Sequence, residues 1–248
     1  IAPGIAGVLY LVAGPEAVYF AVAGTSVLAV LFTSRLPKFM PDLNRVKKNV
    51  FSDIQEGMQY TCRNRLVFIL LISGLTSALL AMPFRMQIPV FTRRLYDIDA
   101  AEIGWLMAAM GVGGLLATVL TANLRAGHRR GPIIVVLGIG GSGVAMLLLA
   151  VSGSYIVGLA VMVGIGFAGA VRMTLGESLV IEATDDAFRA RVMSLNMMTF
   201  GLMPLGALPM GYAIDTLGAQ TTLVIVGLIL LVATVVLMLG SSTLRRHS

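Results

Sequence analysis

The stretch "GPIIVVLGIGGSGVAMLLLAVSGSYIVGLAVMVGIGFAGAVR", residues 131–172, decides the fold. Its first 41 residues, Gly131 to Val171, carry no charge. Soluble cores do not contain apolar stretches of that length, whereas a bilayer-spanning helix needs about 20 predominantly apolar residues. The run is too long for one such helix, and Ser152-Gly153-Ser154 divides it into a helix at 132–151 and another beginning at Tyr155. Arg172, which closes the run, therefore lies inside a membrane helix. An arginine at a helix centre costs roughly 2.5–3.5 kcal/mol on the insertion scale. Nine Leu, Ile, Val or Phe residues between Tyr155 and Gly176 offset this by roughly 3–5 kcal/mol. The helix inserts with its arginine, but an idle arginine facing lipid is disfavoured. A substrate anion, an acidic residue on another helix, carbonyls at a helix break, or snorkelling to the interface would each accommodate it.

The rest of the chain agrees with this reading. Hydrophobic residues make up 57%, charged residues 12%, and the mean hydropathy is +0.91; soluble chains carry about 25% charged residues. The fold class expected is an all-α membrane protein. Charge-free runs at 17–34, 66–84, 103–124, 192–214 and 216–244, with the two helices above, give seven complete spans. Residues 1–13 are too short to span and end at Gly14-Pro15, so they read as the tail of a further helix. The sequence starts at Ile1 within an apolar run, with neither Met nor a positively charged signal start, and reads as part of a longer polypeptide. A single cysteine, Cys62, excludes an internal disulfide, and His128 and His247 fall in polar stretches. No metal site and no cofactor is expected. Nucleic acid is not an expected partner, because the basic residues sit in short loops between apolar spans.

Lys and Arg set the orientation, since cytoplasmic loops collect them. Arg35, Lys38, Arg45, Lys47, Lys48, Arg63 and Arg65 share one side with Arg125, Arg129 and Arg130, with Arg189 and Arg191, and with Arg245 and Arg246. Only Arg93 and Arg94 stand opposite, beside Asp97, Asp99 and Glu102. The C-terminus is expected in the cytoplasm. The chain divides into residues 1–35, a remnant of an N-terminal half; 36–64, a cytoplasmic linker; and 65–248, a six-helix half. In the linker, "SDIQEGMQY" offers Ser52 with Gln55 three residues later, a capping-box pattern. Ile54 and Met58 follow on one face of a short amphipathic helix, which lies on the membrane surface or binds a partner.

The six spans after the linker divide three plus three around Ser152–Ser154, the pattern of inverted-repeat transporters. The span "VMSLNMMTFGLMPLGALPMGYAI", residues 192–214, holds Pro204 and Pro209. Proline removes a backbone hydrogen bond and kinks a helix, and in lipid such breaks sit against protein or a wet cavity. "MGVGG", residues 110–114, suits close approach of two helices. Arg85 lies at the far end of its run, with Gly74, Ser77, Ala78 and Ala81 beneath it; it lines a cavity or snorkels to the headgroups. Glu177, about 140° around the helix from Arg172, is not its simple pair but is a candidate proton carrier. Glu182, Asp185, Asp186, Arg189 and Arg191 form a candidate ion-pair network at a cytoplasmic gate. Asn196, with Met197, Met198, Met203 and Met210, gives one helix a soft surface suited to varied ligands or to ordinary packing.

"FSDIQEGMQYTCRNR", "LVFILLISGLTSALLAMPF" and "IPVFTRRLYDIDAAEIGWLMAAMGVGGLLA" together resemble the second half of a major facilitator superfamily transporter. "DDAFRARVMSLNMMTFGLMPLGALPMGYAID" resembles the cytoplasmic loop and eleventh helix of its bacterial exporter branch, which includes enterobactin-type siderophore exporters and macrolide efflux proteins. The resemblance implies a partial major facilitator fold, from the end of helix five through helix twelve. "APGIAG", residues 2–7, is similar to the end of the exporters' Gly-Pro-x-x-Gly-Gly motif, with Ala2 and Ala6 in place of two glycines. "NLRAGHRRG", residues 123–131, matches the superfamily's Asp-Arg-x-Gly-Arg-Arg loop without its aspartate, so a salt bridge built on that aspartate is not carried over.

The function expected is secondary active efflux of a small organic molecule by alternating access. Protons are the coupling ion, the lipid bilayer of the bacterial inner membrane the setting, and an N-terminal half of the same chain the working partner. Arg172, Glu177, Arg85 and Asn196 are the residues expected on the substrate or proton path. An importer of the same fold and a non-transport multi-pass subunit are the alternatives. An enzyme is not expected: it would need a nucleophile–base pair, metal ligands or a cofactor motif in the spans, and the sequence holds none.

Overall fold

The computed structural model describes residues 2–35, 50–122 and 130–242, and these contain helices and no strand. Seven helices are long and apolar enough to cross a membrane. We number the helical segments in chain order: α1, Ala2–Ser34; α2, Val50–Arg63; α3, Arg65–Tyr96; α4, Ala100–Ala122; α5, 130–151; α6, Tyr155–Glu182; α7, Asp186–Leu217; and α8, Ala219–Ser242. The linker at 36–49, most of the "NLRAGHRRG" loop and the C-terminal arginines lie outside the described residues.

Each boundary has a local cause. Gly14 takes φ +77°, which L side chains rarely adopt, and Pro15 follows it, so α1 kinks there. Asn64 caps α3, its side chain accepting from the Val67 N–H at 3.3 Å. Asp97 ends α3 in the left-handed conformation, and the Asp99 N–H donates to Glu102 Oε2 at 3.1 Å as α4 begins. The helix α2 starts at Val50, two residues before the expected capping box, so Ser52 stands inside the first turn rather than at the cap.

The six helices α3–α8 build two apolar cores. The larger, at the end of the bundle away from α2, buries Phe84, Ile88, Leu106, Met146, Met162 and Leu230. The other, at the α2 end, buries Val67, Leu70, Ile134, Leu175, Leu179 and Val192. Burial is the main stabilising term for each. The most extensive helix pair is α4 against α6. A Cβ at Gly113 would overlap the Val163 carbonyl, and one at Gly166 the Met110 carbonyl, so here backbone lies on backbone. In α1, Tyr19, Phe20 and Phe32 are exposed, and the helix meets the bundle along α4.

Two spans are not regular α-helices. Residues Ser77–Ala81 of α3 and Ile134–Gly140 of α5 are π-helical, a wider winding that occurs mostly as single turns and often at functional sites. A third, α7, breaks at Leu202, two residues before Pro204. The break falls there because proline is tolerated in the first turn of the helix that follows, where its N–H has no partner to lose. Pro209 sits inside that helix without a further break.

Candidate functional site

The seam between the two cores lies at the level of these irregular turns, and both membrane arginines reach it. The whole of Arg65–Tyr96 forms one span, so Arg85 is not at its external end, as the charge-free run 66–84 implied, but about two-thirds along it. Its guanidinium points inward and packs on Gly169 of α6: a Cβ there would lie 2.5 Å from Nη2. The room at Gly169 is thus filled by Arg85.

Arg172 turns the other way. Its stem crosses Gly138 in the π-helical turn of α5, where a Cβ would lie 2.6 Å from that of Arg172. Its head then passes Gly176 of its own helix and reaches Gly74 of α3. Asn196 of α7, 5% exposed, converges on the same spot. A Cβ at Gly74 would lie 3.0 Å from Arg172 Nη2 and 3.5 Å from Asn196 Oδ1. Three glycines on three helices therefore make the space that an arginine side chain occupies, and α3, α6 and α7 meet over it.

Among the described residues, neither Arg85 nor Arg172 has an ion pair or hydrogen bond, and Arg172 Nε is buried without a partner. Glu177 is half-buried and acts on Arg172 only through space. Both arginines line one small cavity of about 20 Å³, together with Ser77, Ser142, Met173 and Phe200. Space of that size holds about one water-sized group. The Ser142 hydroxyl donates to the Gly138 carbonyl at 2.7 Å. The cavity is therefore cationic, with no carboxylate on its walls, and can receive negative charge.

At the α2 end the charges are paired, but not as the sequence grouping expected. Arg189 meets Asp186 at 2.6 Å, and the Ser178 hydroxyl donates to Glu182 at 3.2 Å. Arg191 leaves the loop acids and binds α2 instead, at 2.8 Å from Asp53 and 3.2 Å from Glu56. Tyr60 stacks on Phe188 with ring centroids 4.5 Å apart and accepts a hydrogen bond from the Asp185 N–H at 3.1 Å. The Asn64 side chain donates to the Ala183 carbonyl at 3.2 Å. Gly57 lies against Arg191 and Leu195, while Met58 faces outward. The face of α2 that docks is thus set by Asp53, Gly57 and Tyr60 rather than by Ile54 and Met58. Acids at 53 and 56, followed by an aromatic at 60 on the same face, were the signal available in the sequence.

Among the described residues, no cluster of three or more His, Cys, Asp or Glu side chains could hold a metal ion. The model of a family described as transmembrane secretion effector matches residues 1–246. A search of curated proteins found no match.

Proposed function

Because the chain belongs to the transmembrane secretion effector family of the major facilitator superfamily and is a multi-pass membrane protein, we propose that it is a transporter that exports a small organic molecule by proton-coupled alternating access. The observation that carries this reading is the pair of inward-turned, unpartnered arginines at the seam of the bundle, beside three irregular spans. Irregular backbone at membrane depth is tolerated where it borders a cavity, and transporter sites lie near the midplane on discontinuous helices.

In this reading Arg85, Arg172 and Asn196 line the substrate path, and Glu177 carries the proton beside them. The six-helix unit α3–α8 rocks against a second half to which α1 belongs. The ion pairs of α2 and α7 tie the linker to one gate. The basic loops put that end and the C-terminus in the cytoplasm of a bacterial cell, and the sequence patterns quoted above favour the siderophore and macrolide exporter branch.

The test uses inside-out vesicles carrying the full-length protein as its gene encodes it, with a pH-sensitive dye inside. A proton gradient is imposed and a catecholate siderophore or a macrolide is added. Substrate-dependent proton release that disappears in Glu177→Gln is the expected result. Uptake of substrate into the vesicles without proton release would retain export and remove Glu177 and proton coupling. No flux of either compound in this direction would overturn the export reading.

A further inference from the structure

We propose that the seam between the two cores is a binding site for the negatively charged head of an apolar organic anion, held between Arg85 and Arg172. The inference rests on the transporter reading and names its substrate class. Three observations carry it. Two arginines from different helices line one cavity, and no described carboxylate pairs with either. Arg172 Nε is buried and lacks any acceptor, a state that native structures rarely leave unanswered. The remaining walls divide by polarity: Ser77 and Ser142 are polar, whereas Met82, Met173 and Phe200 are apolar.

The chemistry follows from that division. A planar guanidinium matches the geometry of a carboxylate or phosphate and donates two parallel hydrogen bonds to it. Two arginines lining one cavity disfavour a cationic ligand and leave a neutral one with unanswered donors. The cavity has room for a water-sized group only, so it takes the charged head, while Met173 and Phe200 accept the apolar body. Methionine suits a body of variable shape. The π-helical turns contribute by position: that of α3 ends four residues before Arg85, and that of α5 carries the glycine crossed by Arg172.

The experiment is a thermal-stability titration of the purified full-length protein in neutral detergent. Benzoate is the probe and benzamide its uncharged isostere, both at constant ionic strength. Benzoate is expected to raise the melting temperature saturably, and benzamide is not. Arg85→Gln and Arg172→Gln are each expected to weaken the benzoate response by about tenfold or more. The corresponding Lys variants, which keep the charge, fold as controls and retain part of it. Equal responses to both probes, no saturable response to benzoate, or a response unchanged in both Gln variants would overturn the proposal. A parallel titration in phosphatidylcholine nanodiscs, with and without phosphatidylglycerol, separates the two possible sources of an anion. Stabilisation by phosphatidylglycerol alone would assign the arginines to a lipid headgroup and overturn the substrate assignment. Flux of a neutral compound that persists in both Gln variants would overturn the anion site while leaving the transporter reading intact.

Discussion

Arg191 and Arg172 are the same side chain in opposite circumstances. Arg191, at the α2 end, has Asp53 at 2.8 Å, Glu56 at 3.2 Å and the Phe188 ring at 5.5 Å. Arg172, inside the bundle, has a buried Nε with nothing to donate to. The first arginine is fully accounted for by the fold, because it joins a linker helix to a membrane helix. The second is not, and removing any one of its neighbours would not leave a broken pair behind. A charge that the fold does not use for its own cohesion is available to a ligand. Under the proposed function, the contrast puts stability at one end of the molecule and transport in its middle, and it can be broken at four places.

The largest effect is expected at the unpartnered arginines. Truncating a group that pairs with buried charge costs about 2–5 kcal/mol, or about 30-fold and more in affinity. Arg172→Gln and Arg85→Gln should therefore reduce substrate flux in proteoliposomes by that order, while the melting temperature of the unliganded protein stays level or rises. A large fall in stability instead would mean that each arginine has a structural partner, and the contrast with Arg191 would collapse.

Next comes the glycine that Arg172 crosses. An alanine at Gly138 would bring its Cβ to 2.6 Å from the arginine Cβ, and α5 and α6 must separate to relieve it. Overpacking of this kind typically costs about 1–3 kcal/mol. Gly138→Ala should lower the thermal midpoint and also weaken transport. Gly104→Ala, within the six-helix unit and with nothing within 4 Å of the added Cβ, should do neither. This pair separates the placing of the charge from the charge itself.

These two regions differ in how far the sequence foretold them. The span count was legible because it depends on a local sum of side-chain hydropathy, which needs no knowledge of neighbours. The Gly14-Pro15 break and the interruption near Pro204 were legible for the same reason, since both are backbone effects of one or two residues. Arg172 announced itself by its cost alone. Its orientation did not, because that depends on Gly138, Gly74 and Gly176, and only Gly176 lies on its own helix. Arg85 was misread as terminal because its own charge ends the charge-free run, although the helix continues through it to Tyr96. The π-helical turns have no signature in the sequence, and the pairing of Arg191 with α2 spans more than 130 residues. What stayed hidden was tertiary: contacts whose two halves lie far apart in the chain.

A smaller effect is expected from the paired arginine. Arg191→Gln removes two ion pairs, but its side chain is 22% exposed and that of Asp53 40%, so solvent screens much of the gain. The melting temperature should fall by a few degrees, with flux close to that of the parent protein. Limited proteolysis across residues 50–63 should become faster, because α2 loses its anchor while Tyr60 and Phe188 retain theirs. If Arg191→Gln instead abolished flux as Arg172→Gln does, the α2 clasp would belong to the transport cycle. The separation of stability from transport would then fail at this end.

The smallest effect tests the rule at the opposite end of the bundle. There Arg94 binds Asp215 at 2.7 Å and donates to the Ile214 carbonyl at 2.8 Å, joining α3 to α7. Pairing is complete, as for Arg191, but the two side chains are 46% and 69% exposed. Exposed pairs contribute about 0.2–1 kcal/mol, so a double-mutant cycle of Arg94→Gln with Asp215→Asn should return a coupling below about 0.5 kcal/mol. Flux should not change. A coupling well above that value would show that α3 and α7 are clamped at this end, and that opening the seam between them requires breaking the pair. The paired arginine would then share in transport after all. A coupling near zero leaves the ends of the helices free to part, and leaves the unpartnered charges between them as the arginines that a ligand engages.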